Sequence, residues 1–269
     1  MSTANGRKSI FITGAASGIG RETAKYFVQR GWFVGLFDID RHGLSQTLQE
    51  IGEANGMQAV LDVRSRADWR SAADGFAEAT GGKMNVLFNN AGIGRHGWFE
   101  DISGEDNDAI IDINVKGVVY GVEACLPLLK ETPGARIINT ASTAGLIGAP
   151  RLAVYSATKW AVRGLTESLH VELKPLDVTV TALMPWFVDT PILNMGVREG
   201  ANEDMKQELE SGGIEVYPVS LAAERAWDAA HGDEVYYKVG KAAERAHRAV
   251  RFMPKGVRKR MLKELPKRG

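Results

Sequence analysis

Ser9-Ile10-Phe11-Ile12-Thr13-Gly14-Ala15-Ala16-Ser17-Gly18-Ile19-Gly20 is the stretch that decides the fold. Its first five residues form a short, largely apolar run of strand length that passes straight into a Gly-rich turn. The residues that follow, RETAKYFVQRG, carry an amphipathic helix ending near Gly31. Strand, Gly-rich turn and helix start together make a site for a pyrophosphate. Backbone N–H groups and the positive helix end face the anion, and missing side chains let it approach. Gly14, Gly18 and Gly20, with Ser17 and Ile19 beside them, are the candidate contacts. Glycines needed only for tight packing are the alternative reading.

Working outward, the next strand, Trp32 to Phe37, ends at Asp38. A carboxylate there accepts hydrogen bonds from ribose hydroxyls and repels a 2′-phosphate, which argues for NAD over NADP. Arg41 lies close enough in sequence to reach toward a phosphate, so an NADP-linked reductase is the nearer alternative. A second helix is expected over LSQTLQEIGEA and a third strand over Met57 to Leu61, ending at Asp62-Val63. Asp62 suits either an adenine amino group or the cap of a helix starting near Ser65. A fourth strand, Met84 to Phe88, runs into Asn89-Asn90-Ala91-Gly92, small and amide residues that suit a backbone passing beside a ligand. This alternation predicts an α/β fold of one Rossmann-type domain: a doubly wound parallel sheet with helices on both faces and its ligand at the strands' carboxyl ends.

Glu105 to Leu129 reads as one long helix, with Asn114 inside an apolar stretch where its amide must find partners. Arg136 to Thr140 is a fifth strand, followed by Ser142. Thirteen residues later the chain reads Tyr155-Ser156-Ala157-Thr158-Lys159, on a helix running to Leu173. Positions i and i+4 share a helix face, so Tyr155 and Lys159 point into the same space. An ammonium beside a phenol is expected to lower the phenol's pKa toward neutrality, where it can exchange a proton with an alcohol.

TGAASGIG at the first turn, NNAG after the fourth strand, Asn114, Ser142 and YSATK, in this order, resemble the classical short-chain dehydrogenases/reductases. The resemblance covers roughly residues 7 to 191. It implies Tyr155 as general acid/base and Ser142 as the hydrogen-bond partner of the substrate oxygen. It implies Lys159 as the residue that holds the nicotinamide ribose and lowers the tyrosine pKa, and Asn114 as keeper of a water that relays protons to Lys159. Asp62, Val63, Asn90, Ala91 and Gly92 are implied along the cofactor, as are Pro185, Val188 and Thr190 after the sixth strand (Val178 to Met184). Trp186 departs from the family, which shows glycine there, and it adds bulk beside the nicotinamide position. Residues of about 190–216 correspond to a mobile substrate lid. Trp98, Trp186, Phe187, Leu193 and Met195 could line an apolar pocket for a bulky or aromatic secondary alcohol or ketone. NAD-linked turnover is the leading expectation; a dinucleotide-binding sensor or scaffold without turnover is the rival of a different class. The two long helices imply a homodimer or homotetramer.

Composition bounds the rest. The chain has 269 residues, with 33 Lys and Arg against 33 Asp and Glu, so no overall charge draws it to nucleic acid. A single cysteine, Cys125, excludes an intrachain disulfide, and the five histidines show no ligand spacing, so no metal is expected. The start, MSTANGRKS, lacks an apolar signal core, which makes a cytoplasmic protein the expectation. A helix is expected over Pro218 to His231 and a last strand over Glu234 to Val239, completing a catalytic domain over residues 1–240. Residues 241–269 add a basic extension split at Pro254 into two amphipathic helices. Such a face is read as solvated or paired with acidic patches on this molecule or a partner subunit, with contact to an anionic membrane the weaker alternative.

Overall fold

The first strand, β1 (Ser9–Thr13), is buried at every position, as a central parallel strand between two helical layers must be. In the computed structural model, which describes residues 3–194, 196 and 205–265, it pairs with β2 (Phe33–Asp38) on one side and β4 (Val86–Asn89) on the other. The sheet is completed by β3 (Gly56–Val60), β5 (Ala135–Thr140), β6 (Val178–Pro185) and β7 (Tyr236–Val239), in the order β3-β2-β1-β4-β5-β6-β7. Every pairing is parallel. After β3 the chain returns across β1 to lay down β4, so the strand order reverses between β1 and β4. That reversal opens a crevice at their carboxyl ends.

Alternate residues of β1 face opposite layers. Ile10 and Ile12 pack with α1 (Gly18–Val28), α2 (Arg41–Ile51) and α8 (Val219–Ala229) through Phe27, Leu44 and Ala226. Phe11 turns the other way, stacking on Phe37 at 3.7 Å and meeting Phe76 of α3 (Arg66–Thr80) edge-on at 5.4 Å. That second layer also holds α5 (Gly117–Lys130) and α6 (Ala153–Glu172). Truncating a fully buried ring such as Phe11 would cost on the order of 3–5 kcal/mol.

Three expectations change. The helix expected from Glu105 to Leu129 is interrupted: α4 (Gly104–Ile111) gives way to one π-turn, Asp112–Lys116, before α5 begins. Asn114 sits in that turn, and an i→i+5 turn leaves a carbonyl without its helical partner. The stretch of about 190–216, for which no regular element is expected from the sequence, contains a short helix, α7 (Met205–Ser211). Asp62 does not cap α3; Ser65 does, its side chain accepting from Asp68 N–H. The tail divides at Pro254 into α9 (Lys241–Phe252) and α10 (Pro254–Glu264).

Candidate active site

At the end of β1 the Gly-rich turn is closed on itself. Gly14 has φ +66°, and a Cβ there would lie 3.0 Å from Ala91 Cα. A Cβ on Gly20 would lie 2.1 Å from the Gly14 carbonyl oxygen, so only hydrogen lets α1 start against the strand end. Ser17 is the N-cap residue with extended backbone and no side-chain cap bond, and no acid stands in the first turn. The positive end of α1 is therefore not neutralised from within, and the turn fits a bound pyrophosphate. Ile19 packs partly buried behind it. Thr190 closes the other side, its Cβ 3.3 Å from where a Gly18 Cβ would be.

Asp38 stands beside this turn. Its Oδ2 accepts from Ala16 N–H at 3.1 Å and its Oδ1 from Asp40 N–H at 3.1 Å, which fixes the carboxylate at the rim. Asp62 follows β3 but is engaged by Arg64, whose Nε donates at 2.9 Å and Nη2 at 2.7 Å. That side-chain hydrogen bond holds the Asp62 carboxyl below the ordinary range, with burial opposing it. Val63 is buried against Gly117, and its carbonyl accepts from Trp69 Nε1.

Thr13 joins the two halves of the crevice. Its hydroxyl oxygen accepts from Asn90 N–H and Ala91 N–H, both at 3.0 Å, and Asn90 Nδ2 donates back to the Thr13 carbonyl at 3.0 Å. Beyond Asn90 the chain reaches Gly92, where a Cβ would meet Asn114 Oδ1 at 3.2 Å and Lys159 Nζ at 3.6 Å. Asn114 is 1% exposed and engaged through its amide: Oδ1 accepts from Ile93 N–H at 2.9 Å, and Nδ2 donates to the Ile93 carbonyl and to Thr158 Oγ1. Both Nδ2 hydrogens are thus used, while Oδ1 keeps one of its two lone pairs.

Lys159 is buried and donates to the Thr140 carbonyl at 2.9 Å. Its Nζ lies 5.4 Å from the Tyr155 ring centroid. The expected lowering of the tyrosine is not what this arrangement gives. Burial pushes Tyr155 up to about 12, opposed by its hydrogen bond with Ser142, and burial pushes Lys159 down to about 8. The ammonium points at Thr140 rather than at the phenol oxygen, so desolvation outweighs attraction at both groups. Ser142 begins the turn after β5, its Oγ accepting from Ala144 N–H at 3.1 Å. Thr143 Oγ1 donates to the Pro185 carbonyl at 3.2 Å, which ties that turn to the end of β6. Trp186, the next residue, meets Phe187 edge-on at 5.3 Å, and its buried indole N–H has no acceptor among the described residues. Val188 bridges to Tyr217.

Thus Asn114, Ser142, Tyr155, Lys159 and Gly92 converge, and Gly14, Ser17, Gly18, Gly20 and Asp38 line the adjoining turn. Asp62 and Val63 lie along the neighbouring strand end, with Asp62 shared by Arg64. Of the apolar pocket residues, Leu193 is buried against Leu209 with Phe187 packed beside them, so Leu193 and Phe187 build a small local core there. Met195 lies outside the described residues. Thr13, Thr140 and Thr158 were not singled out by the sequence. Thr13 carries a weak signal, a hydroxyl closing an otherwise apolar strand; the other two act through contacts that no local pattern records.

The short chain dehydrogenase family model matches residues 8–201. A cyclohexanol dehydrogenase of Acinetobacter sp. is 34% identical over 196 residues, 72% of this chain and 78% of the relative. A 3-alpha-(or 20-beta)-hydroxysteroid dehydrogenase of Mycobacterium tuberculosis is 37% identical over 186 residues, 69% of this chain and 70% of the relative. Among solved structures, a short chain dehydrogenase/reductase from Burkholderia phymatum in complex with NAD superposes with TM-score 0.82 at 29% identity, covering 100% of this chain and 99% of that one. With the family model spanning well over half of its length, the chain belongs to the short-chain dehydrogenase/reductase family of oxidoreductases.

Proposed function

We propose that the protein is an NAD(H)-dependent alcohol dehydrogenase/ketone reductase acting on bulky or aromatic secondary alcohols and the matching ketones. The observation that carries this reading is the meeting of Tyr155 and Ser142, in hydrogen bond, with buried Lys159 at the Gly92 backbone. A bound nicotinamide supplies the hydride donor or acceptor. Tyr155 gives its phenolic proton to a carbonyl oxygen in reduction and takes the hydroxyl proton in oxidation. Ser142 holds that oxygen in place. Lys159 positions the nicotinamide ribose and keeps positive charge beside the phenol. Asn114 is a positioning residue: it holds Ile93 and Thr158 around Lys159, and its place in the π-turn supports the seating of a relay water beside Lys159. The remaining proposed cofactor contacts are Asp62, Val63, Asn90, Ala91, Pro185, Val188 and Thr190, which border the same crevice.

Two features support the finer choices. Asp38 is held at the rim by two backbone N–H groups, so a ribose 2′-phosphate would meet a fixed carboxylate. The cyclohexanol and hydroxysteroid dehydrogenases among the relatives support a cyclic secondary alcohol. Burial raises Tyr155, so the phenol stays protonated at neutral pH and can donate to a carbonyl oxygen, and alcohol oxidation is expected to gain as pH rises. The outward face of α6, with Val171 71% and Trp160 46% exposed, supports a homodimer or homotetramer.

The test is turnover with NAD and NADP across aliphatic, alicyclic and aryl secondary alcohols, with Tyr155→Phe and Asp38→Ser beside the wild type. The expected result is NAD-linked activity on bulky members, abolished in Tyr155→Phe, with NADPH affinity raised in Asp38→Ser. Surviving activity in Tyr155→Phe overturns the mechanism, and tighter NADPH than NADH binding by the wild type overturns the cofactor choice.

A further inference from the structure

The chain's neutrality hides a division. Residues 241–269 carry eleven Lys and Arg against two Glu, a net +9, which leaves the first 240 residues with 22 against 31, a net −9. If the basic tail were matched to acidic patches of its own molecule, ion pairs should join the two. Among the described residues one such pair is present, Arg245 with Glu215 at 3.6 Å, and both side chains are more than half exposed. Arg260 pairs within α10 with Glu264, and Arg251 lies over the Phe252 ring. His247, facing Lys238, Arg163 and Arg251 with Glu244 opposing, is held below its ordinary value by burial first and then by those cations.

The same element exposes its large apolar side chains. Phe252 is 73% exposed, Met253 63% and Leu262 73%, and no residue of α10 is buried. Lys255, Arg258 and Lys259 fall at i−7, i−4 and i−3 from Leu262, so cations flank an apolar centre on one helix face. A groove of about 440 Å³ opens beside it, lined by Leu146, Ile147, Pro150, Trp160, Met261 and Leu262, with Arg258 among its walls. Leu146 to Pro150 belong to the segment that joins Ser142 to the Tyr155 helix.

We infer that α9 and α10 dock the enzyme on an anionic lipid bilayer, with cations in the headgroup layer and Phe252, Met253 and Leu262 entering the acyl boundary. A purely solvated basic face gives no reason for three exposed apolar side chains. A purely acidic protein surface would take the charges and leave those side chains in water, and one with an apolar patch would show itself as a change of mass rather than as lipid binding. A bilayer with anionic headgroups takes both. The helices lie on the surface, since no helix among the described residues is long and apolar enough to cross a membrane. Docking in this pose sets the groove, and the loop between Ser142 and Tyr155, beside the lipid from which an apolar alcohol or ketone would partition.

The test uses the full chain with vesicles of phosphatidylcholine alone or mixed equally with phosphatidylglycerol, read by co-sedimentation. The wild type is expected to bind the mixed vesicles at least about tenfold more strongly, and less so as salt is raised. Phe252→Ser with Leu262→Ser keeps every charge and is expected to lose about tenfold. Arg258→Glu with Lys259→Glu keeps the apolar centre and is expected to lose more than roughly thirtyfold, the loss from removing two cations alone. Melting temperature and turnover without vesicles should be unchanged in both. Equal binding to both vesicle types overturns the inference, as does a serine variant that binds like the wild type. A charge-reversal variant that keeps vesicle binding but changes its mass by light scattering also overturns it, and would make the face a subunit contact.

Discussion

Lys159 gives the sharpest quantitative test of the site. Its ammonium is buried with the Thr140 carbonyl at 2.9 Å, and burial lowers it from 10.5 to about 8. In the unfolded chain the lysine keeps its ordinary value, so between these two values the unfolded state binds more protons than the folded one. Stability must then rise with pH across that window, because the folded lysine sheds a buried charge that the unfolded chain still carries in water. A difference of about 2.5 units corresponds to roughly 3 kcal/mol in full, of which about 2 kcal/mol appears between about pH 7 and pH 9.5. Lys159→Met cannot show this gain. Unfolding of wild type and Lys159→Met, followed in urea without cofactor at several pH values, isolates the contribution by difference. The wild type should gain about 2 kcal/mol on the variant across the window, or roughly 4–8 °C in melting temperature for a chain of this size. Other groups titrate in the same range, Tyr155 among them at its upper edge, but they are present in both proteins. A difference that does not change with pH would mean that Lys159 keeps its ordinary pKa. The account of desolvation outweighing attraction at Tyr155 and Lys159 would then fail.

Gly20→Ala places a methyl 2.1 Å from the Gly14 carbonyl oxygen, a clash with backbone that no rotamer relieves. A loss of about 1–3 kcal/mol of stability is expected, with dinucleotide binding abolished by fluorescence titration; an unperturbed variant would refute the closed turn. Trp186→Gly removes a buried indole whose N–H has no acceptor among the described residues, and frees the space beside the end of β6. Relative kcat/KM should shift toward larger ketones by about tenfold, a change on the order of 1–2 kcal/mol, and an unchanged substrate profile would remove Trp186 from the pocket wall. Light scattering should give the mass of a dimer or tetramer, with Val171→Arg on the exposed face of α6 reducing it; a wild-type monomer would refute the packing of these helices.

What the sequence made legible is what the backbone dictates locally. The strand, turn and helix of residues 9–28 needed only apolar periodicity and glycines at positions where a Cβ cannot fit, and the structure places them where that reading put them. Tyr155 and Lys159 share a face because a helix enforces it. Their electrostatics did not follow from the same spacing. Whether an ammonium lowers a neighbouring phenol depends on where it points and how much water remains, and Lys159 is drawn to Thr140, nineteen residues earlier, on a different element. The break in the helix around Asn114 was hidden for a similar reason. DINVKGVVYG holds weak helix formers, Gly117 and Gly121 among them, but nothing that marks a π-turn; Ile93 and Thr158 capture the Asn114 amide from outside and hold the turn at the crevice. Thr13 works the same way, joining β1 to Asn90 and Ala91 across 77 and 78 residues of chain. Side chains whose task is to hold another segment therefore escape a reading along the chain. For the same reason, conservative changes at Thr13 or Thr158 should disturb the site through the backbone they hold, leaving the nucleotide turn and the Tyr155 helix folded while the distance between them changes.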